Sequence, residues 1–313
     1  MKKLFALALA VVMVLSFAAC GKEKRPGNNT SGQSVDSNTL EIVNNAYTAT
    51  KTALENAKAM GYSGTIVKSV TIDDVITSQR NSINFKYADG DSGRAFAVET
   101  VSKSGDTSEE VQLYNNGENL YGYKAGTTYV LSKNKDTDAY VEELFKEIGF
   151  IDASAVKVLN TTIVDTSTGG HGFVLDYDFN DAAFDPETMI GTAFFNEKAD
   201  GKNVTVTGLC VSGIIDTKGR LTAQNVTFEY TYTVDAEVPN DVDPDNSGVS
   251  ETTKTVTKTV SNKISFDFAF NYELETVTSP DHIVIGGEGA AEPTEISISD
   301  FNKLSAAAAG DNG

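Results

Sequence analysis

The stretch KISFDFAFNYELE, residues 263–275, alternates apolar and mainly polar side chains over its whole length. Successive side chains of a β-strand point to opposite sides, so a period of two predicts a strand with one buried and one solvated face. Burying each large apolar side chain contributes roughly 1.5 to 3 kcal/mol. A slip of one residue would expose the whole apolar set, so the register is strongly determined. The buried face carries Ile264, Phe266, Phe268, Phe270, Tyr272 and Leu274.

The same alternation recurs through most of the chain after Tyr62. Segments 203–215 and 220–234 are joined by Asp216-Thr217-Lys218-Gly219, which is typical of a hairpin turn. Their apolar alternation shifts near Gly208 and near Gln224-Asn225, which predicts bulges that bend the sheet. Further strands are predicted at 111–114, 120–123, 128–131, 156–164 and 171–179.

Two segments have the helical period instead. Apolar residues from Leu40 to Met60 recur at helical spacing, behind a capping pair formed by Asn38 and Glu41. A shorter helix is predicted at 138–148. The sequence therefore predicts the α+β class: an antiparallel sheet with one long N-terminal helix and one or two short helices on its apolar face.

The domain organisation follows from where these patterns stop. No second composition regime appears within residues 38–279, so we expect one β-rich domain there. After Pro280 the chain turns to Gly, Ala, Glu, Ser and Asp, and residues 280–313 are predicted to be a disordered tail.

The N-terminus has the make-up of a secretory signal. Lys2 and Lys3 precede an apolar run that ends at Phe17, and small residues follow. The run is shorter than the ~20 residues that span a bilayer. We therefore predict that residues 1–19 are a signal peptide.

The end of this segment, Ala18-Ala19-Cys20-Gly21, resembles the lipobox of bacterial lipoproteins, although Phe17 stands where that motif usually has Leu. The resemblance implies that the thiol of Cys20 carries a diacylglycerol, which would hold the protein on the extracytoplasmic face of the cell membrane. Residues 20–37 then form the lipidated cysteine and a flexible polar tether. Ordinary secretion without a lipid is the alternative.

The net charge of the chain limits the kinds of partner that it can bind. The formal net charge is −19 at pH 7. Such a surface is repelled by nucleic acid and by anionic lipid headgroups, so no nucleic-acid partner is expected. The lipid on Cys20, rather than a basic patch, is therefore predicted to attach the protein to the membrane.

Motifs for catalysis are missing from the sequence, and we expect that the protein is not an enzyme. Neither His171 nor His282 has a Cys, Asp or Glu at the spacing of a metal site on a helix. No Gly-x-Ser-x-Gly elbow is present, and Ser154 to Lys157 matches Ser-x-x-Lys without its companion motifs. No catalytic residue, metal ligand or cofactor is predicted.

An acidic segment at 241–248 has some features of a calcium loop. It contains Asp241, Asp243 and Asp245, but neither possible register places both Gly and Glu where an EF-hand needs them. We interpret it as a solvated loop between strands, with weak calcium binding as the alternative.

Several short segments of the sequence resemble those of one protein family. They are Asn116-Gly117-Glu118-Asn119-Leu120-Tyr121 before Tyr129-Val130-Leu131, Ile215 to Leu221 at the opening of a long strand, and Phe270 to Pro280, which is similar to the last strand of the family. Together with the lipobox, tether and helix, residues 38–282 are similar to the LolA/LppX-type lipoproteins. The resemblance implies an incomplete β-barrel, a curved sheet whose concave face is closed by helices around a hydrophobic cavity for acyl chains.

Aromatic residues on the predicted buried faces lead to two functional hypotheses. In the first, they line a cavity that binds or carries a lipid or another hydrophobic ligand. In the second, they form a solid core, and the protein is an interaction or regulatory module of the cell envelope without a small-molecule ligand. The candidate cavity residues are Phe228, Tyr230, Tyr232, Ile264, Phe266, Phe268 and Phe270.

Overall fold

The fold is seen in a computed structural model of the protein. The predictions for residues 1–19, Cys20 and the acidic segment 241–248 lie outside the residues that it describes. The described residues are 35–91, 93–146, 148–152, 154, 157–178, 202–239, 253–274, 276–285 and 292–304.

One twelve-stranded sheet forms the body of the protein, in the order β12-β6-β5-β4-β3-β2-β1-β11-β10-β9-β8-β7. All neighbouring pairs are antiparallel except β12 with β6, and the two edge strands do not pair, so the sheet is open. The strands are β1 (Ala59–Ile72), β2 (Val75–Gly90), β3 (Gly93–Ser104), β4 (Thr107–Asn115), β5 (Leu120–Lys124), β6 (Thr127–Leu131), β7 (Val158–Asp165), β8 (His171–Tyr177), β9 (Lys202–Ile215), β10 (Leu221–Pro239), β11 (Thr253–Asn271) and β12 (Thr294–Ile296).

The long N-terminal helix, α1 (Ser37–Asn56), is shorter than predicted at its end. Its N-cap is Asp36 rather than Asn38, because the Asp36 carboxylate accepts a hydrogen bond from the Asn38 N–H at 3.1 Å. Ala57 is already extended, and Met60, predicted to be helical, belongs to β1. Pairing of β1 with β2 and β11 outweighs the helical spacing of these last residues.

Two shorter helices follow, α2 (Lys135–Lys146) and α3 (Ile298–Lys303). The second of them corrects the predicted boundary of the domain, because β12 and α3 lie in the segment predicted to be a disordered tail. Phe301 is only 1% exposed, and an added Cβ on Gly122 would come within 2.8 Å of its ring. The glycine on β5 therefore leaves the space in which α3 docks.

Strand β11 lies near the centre of the sheet and includes the stretch from Lys263 to Asn271. It begins eleven residues before Ile264, at Thr253, because β10 pairs with it over its whole length. The ladder between β9 and β10 is interrupted between Leu221 and Ala223, between Glu229 and Tyr230, and between Thr231 and Thr233. The first lies close to Gln224 and the second at Gly208, the partner of Glu229, where bulges are predicted, whereas the third is not predicted.

The two faces of the sheet differ. We call the face that carries Phe266, Phe268 and Phe270 the helix face, because side chains of α1, α2 and α3 join the core cluster on it. The opposite face, which carries Ser265 and Asp267 of the same strand, is called the outer face. No helix in the described ranges is long and apolar enough to cross a membrane.

Candidate functional site: the two faces of the sheet

The seven predicted cavity residues all lie on the helix face of β10 and β11. Phe228 lies directly opposite Ile264, and Tyr230 opposite Asn262, so the two strands present one continuous surface. Tyr232 is half-buried, and the other six are at most 6% exposed. Sequence alternation thus located one buried surface, and ligand binding to it stays a prediction.

Exposure indicates how this surface is filled. Phe228, Ile264 and Phe266 are 0% exposed. A side chain lining a space large enough for water would have accessible surface, so these three contact protein on all sides. Their neighbours are other rings: Phe228 and Tyr230 have centroids 5.3 Å apart, and Phe266 and Phe268 6.3 Å. These separations are typical of packed aromatic pairs.

Helix α2 closes one part of the helix face with a single aromatic side chain. The ring of Phe145 lies 4.7 Å from Phe85, 5.4 Å from Tyr87 and 5.8 Å from Phe96, in edge-to-face geometry. The guanidinium of Arg94 lies 4.9 Å from the same ring. Two strands, β2 and β3, and the cation of Arg94 therefore hold α2 in place.

Helix α1 is joined to the start of β10 by buried polar groups. The Thr50 hydroxyl accepts a hydrogen bond from the Leu221 N–H at 2.8 Å. The Gln224 side-chain amide donates to the Tyr47 hydroxyl at 3.4 Å, and burial raises the pKa of Tyr47 well above its ordinary value. Buried groups with fixed partners specify one packing arrangement, so the helix has a defined position on the sheet.

The helix face also carries polar side chains, and they lie beside the aromatic residues, because Asn262 is opposite Tyr230. Lys68 of β1 is 9% exposed, and burial lowers its pKa. Asn262 of β11, a diagonal neighbour of Lys68, is 3% exposed, and neither its amide nitrogen nor its amide oxygen has a hydrogen-bond partner among the described residues. Asn81 Oδ1 is also buried without a partner in the described part of the chain. Such groups carry an energetic cost, so this region is a candidate for polar ligand contacts.

The outer face contains a small cleft at its centre. Its volume is about 100 Å³, well below the ~300 Å³ at which small-molecule sites begin. Ser63 and Thr65 of β1 lie opposite Ala269 and Asp267 of β11, and Ala223 of β10 lies opposite Ala269 from the other side. The cleft is lined by Ser63, Thr65, Ala223, Asp267 and Ala269 of the outer face, and by Gln224 and Phe268, whose side chains lie on the helix face.

Asp267 is the charged group of this cleft. Burial raises its pKa, although a hydrogen bond from Asn225 and the charge of Arg80 act in the opposite direction. Asn225 Nδ2 donates to Asp267 Oδ1 at 2.7 Å, and no described residue donates to Oδ2. The carboxylate therefore retains hydrogen-bonding capacity on the side of the cleft.

A polar row continues from Asp267 across neighbouring strands. Asn225 lies opposite Asp267, and Ser212 of β9 lies opposite Asn225. Ser212 is 2% exposed, and its hydroxyl has no hydrogen-bond partner in the described ranges. Sequence reasoning missed this row as a site, because Asp267 and Asn225 look like ordinary outward-facing residues of strands.

The histidines lie apart from these features. His171 Nδ1 is 3.1 Å from an Asp165 carboxylate oxygen, and the His282 ring stacks on Tyr123 at 4.9 Å. Among the described residues, no group of three or more His, Cys, Asp or Glu side chains is placed to hold a metal ion.

No protein-family model matches the sequence, and no curated protein matches it. Among solved structures, the chain is similar to a DUF1329 family protein from Desulfovibrio piger, with 9% identity, TM-score 0.22 and coverage of 76% of this chain and 95% of that one. It is also similar to the MucA/MucB complex of Pseudomonas aeruginosa, with 8% identity, TM-score 0.15 and coverage of 73% and 93%. At these TM-scores neither likeness carries an argument about this chain, and the resemblance to the LolA/LppX-type lipoproteins stays a prediction.

Proposed function

We propose that the protein is an interaction module of the cell envelope, anchored by a lipid on Cys20, whose folded domain has a solid core and no small-molecule ligand. The observation that supports this best is the 0% exposure of Phe228, Ile264 and Phe266. The residues that would have to line an acyl-chain cavity contact other protein groups instead. The proposal assigns no enzymatic activity.

The anchor and the location rest on the sequence alone. The signal-like residues 1–19 and the lipobox-like Ala18-Ala19-Cys20-Gly21 favour export followed by lipid attachment. Two acyl chains are sufficient for stable membrane attachment. A net charge of −19 does not assist attachment to an anionic surface, which leaves the lipid as the anchor.

Lipid carriage is the second candidate, and one observation favours it. Buried Lys68 and Asn262 lie on the same face as the aromatic residues, at the end away from Gln224 and α1. An amphiphile needs an apolar surface next to polar groups, and the helix face has both. For this function, packed residues such as Phe266 would have to separate to admit a chain.

The two functions are separated by photo-crosslinking in the native cell. A photoreactive phenylalanine analogue replaces exposed Asn84, which lies opposite Ser63 on the outer face, or, as the control, exposed Asn302 on α3. The proposal expects one partner protein of defined mass, captured from Asn84 and not from Asn302, that binds the purified protein with a Kd below roughly 10 µM, or about −7 kcal/mol. Absence of any reproducible partner would contradict an interaction module.

A further inference from the structure

We propose that the outer-face cleft around Asp267 is the docking site for a cationic side chain, an arginine or a lysine, of a protein partner. The inference rests on the proposed function and specifies the chemistry of that partner. It names the cleft between β1, β11 and β10 as the contact point.

The shape of the cleft suits one side chain rather than a ligand molecule. Small residues, Ser63, Ala223 and Ala269, form its walls, and their short side chains leave the space open. A volume of about 100 Å³ corresponds to a few water molecules at ~30 Å³ each. The end of a long side chain fits such a space, whereas most small-molecule sites are larger.

The polar groups of the cleft favour a cation with several N–H donors. Asp267 presents Oδ2 without a donor among the described residues, while Asn225 occupies Oδ1. The hydroxyls of Ser63 and Thr65 line the same space and can accept further hydrogen bonds. A guanidinium donates in a planar fork that matches such an arrangement, and an ammonium donates in three directions.

The electrostatic balance also favours an incoming cation. Burial of the Asp267 carboxylate disfavours its charged form, and the resulting rise in its pKa means that the nearby Arg80 does not fully compensate it. A second cation placed in the cleft would stabilise the charged form of the Asp267 carboxylate. The net charge of −19 adds a long-range attraction for a basic partner.

Access to the cleft is from the side of the sheet that the described helices leave open. Side chains of α1, α2 and α3 join the core on the helix face. Ser63, at the cleft wall, is exposed. A partner can therefore approach the centre of the sheet, at β1, β11 and β10, without displacing a described helix.

The test uses nuclear magnetic resonance on the ¹⁵N-labelled mature protein in 150 mM salt. The probe is Nα-acetyl-arginine amide, and the control probe is Nα-acetyl-citrulline amide, which has the same shape without the charge. Saturable amide shifts with a Kd of millimolar order are expected for the arginine probe, largest at Ser63, Thr65, Asn225 and Asp267. The citrulline probe is expected to shift these amides at least tenfold less at equal concentration.

Two variants locate the effect. Asp267→Asn keeps the shape of the side chain and the oxygen that accepts from Asn225. It is expected to weaken binding of the arginine probe at least tenfold. Glu229→Gln removes another carboxylate on the outer face, one that pairs with Lys263 at 2.9 Å. It is expected to leave binding of the arginine probe unchanged. Shifts that are absent, spread over the surface, unchanged in Asp267→Asn or equal for citrulline would overturn the inference.

The same variants separate this inference from the proposed function. If crosslinking from Asn84 identifies a partner that binds Asp267→Asn as tightly as the unchanged protein, the interaction function stands and the docking site is wrong. If no partner is captured while the arginine probe binds the cleft, the interaction function fails and cation recognition by the cleft stands.

Discussion

The side-chain amide of Gln224 forms two hydrogen bonds with the backbone of Ile151. Its Nε2 donates to the Ile151 carbonyl at 2.8 Å, and its Oε1 accepts from the Ile151 N–H at 2.9 Å. Gln224 is 1% exposed and Ile151 5% exposed, so the pair lies inside the protein. One side chain of β10 thus fixes the segment after α2 on the helix face and helps to keep the core closed.

Replacing Gln224 with methionine, which has a similar size, should destabilise the protein by about 3 kcal/mol. Two buried backbone groups of Ile151 would lose their partners, at roughly 1 to 3 kcal/mol each. The free energy of unfolding is measured by urea denaturation. The same substitution at half-buried Gln79 is the control, and a loss as large as that of Gln224→Met would show that the bonds to Ile151 are not the cause.

Asn262→Leu should stabilise the protein by about 1 to 3 kcal/mol. The substitution removes a buried amide whose two polar atoms have no partner among the residues that the structure describes, and it introduces an apolar side chain of similar volume. Asn225→Leu is the matched control and should lower stability, since Asn225 donates to Asp267. Lower stability of Asn262→Leu would mean that a bound group satisfies this amide, in favour of the lipid hypothesis.

Asp267→Asn should leave the protein at least as stable as the unchanged chain at pH 7. Burial raises the pKa of Asp267 in the folded protein above its value in the unfolded chain. The protonated carboxyl therefore contributes to stability at pH values below the pKa of the unfolded state. This contribution is lost as the pH rises through the pKa of the folded state. Asparagine imitates the protonated form at every pH. Denaturation midpoints measured from pH 7 down to pH 3 should therefore converge for the two proteins, and a gap that widens toward low pH would contradict the account.

Cys20→Ser should release the protein from the membrane. Without a thiol at this position no diacylglycerol can be attached, and about 0.8 kcal/mol for each buried methylene is lost. Fractionation and detergent phase partitioning should move the variant from the membrane to the soluble fraction. Membrane association that survives the substitution, or a mature protein whose Cys20 sulfur is free or in a disulfide, would refute the anchor.

Local alternation predicted the central part of the fold well. Strict alternation from Ile264 to Phe270 was sufficient to predict a strand and its buried face, because side-chain direction in a strand depends only on position. The earlier half of β11, from Thr253, is rich in Thr and Lys and has no strong apolar pattern. Its strand structure comes from pairing with β10, which local sequence does not reveal.

The remaining differences between the predicted and the observed structure also arise from pairing between segments that are distant in sequence. Met60 continues the helical spacing of α1, yet the pairing of β1 places it in the sheet. Phe301 lies in the segment predicted to be disordered, and Gly122, distant in sequence, leaves the space in which its ring docks. The outer-face cleft likewise requires Ser63 and Asp267 to be brought together by the register of β1 and β11. Each feature depends on contacts between distant segments.

The most direct test of a solid core is native mass spectrometry, with solvent extraction, of the mature protein purified from a lipid-containing host. A solid core predicts the mass of the polypeptide with its covalent anchor only, unchanged after incubation with mixed envelope lipids. A non-covalent lipid bound at defined stoichiometry would contradict the account, because Phe228, Ile264 and Phe266 would then have to separate around a ligand.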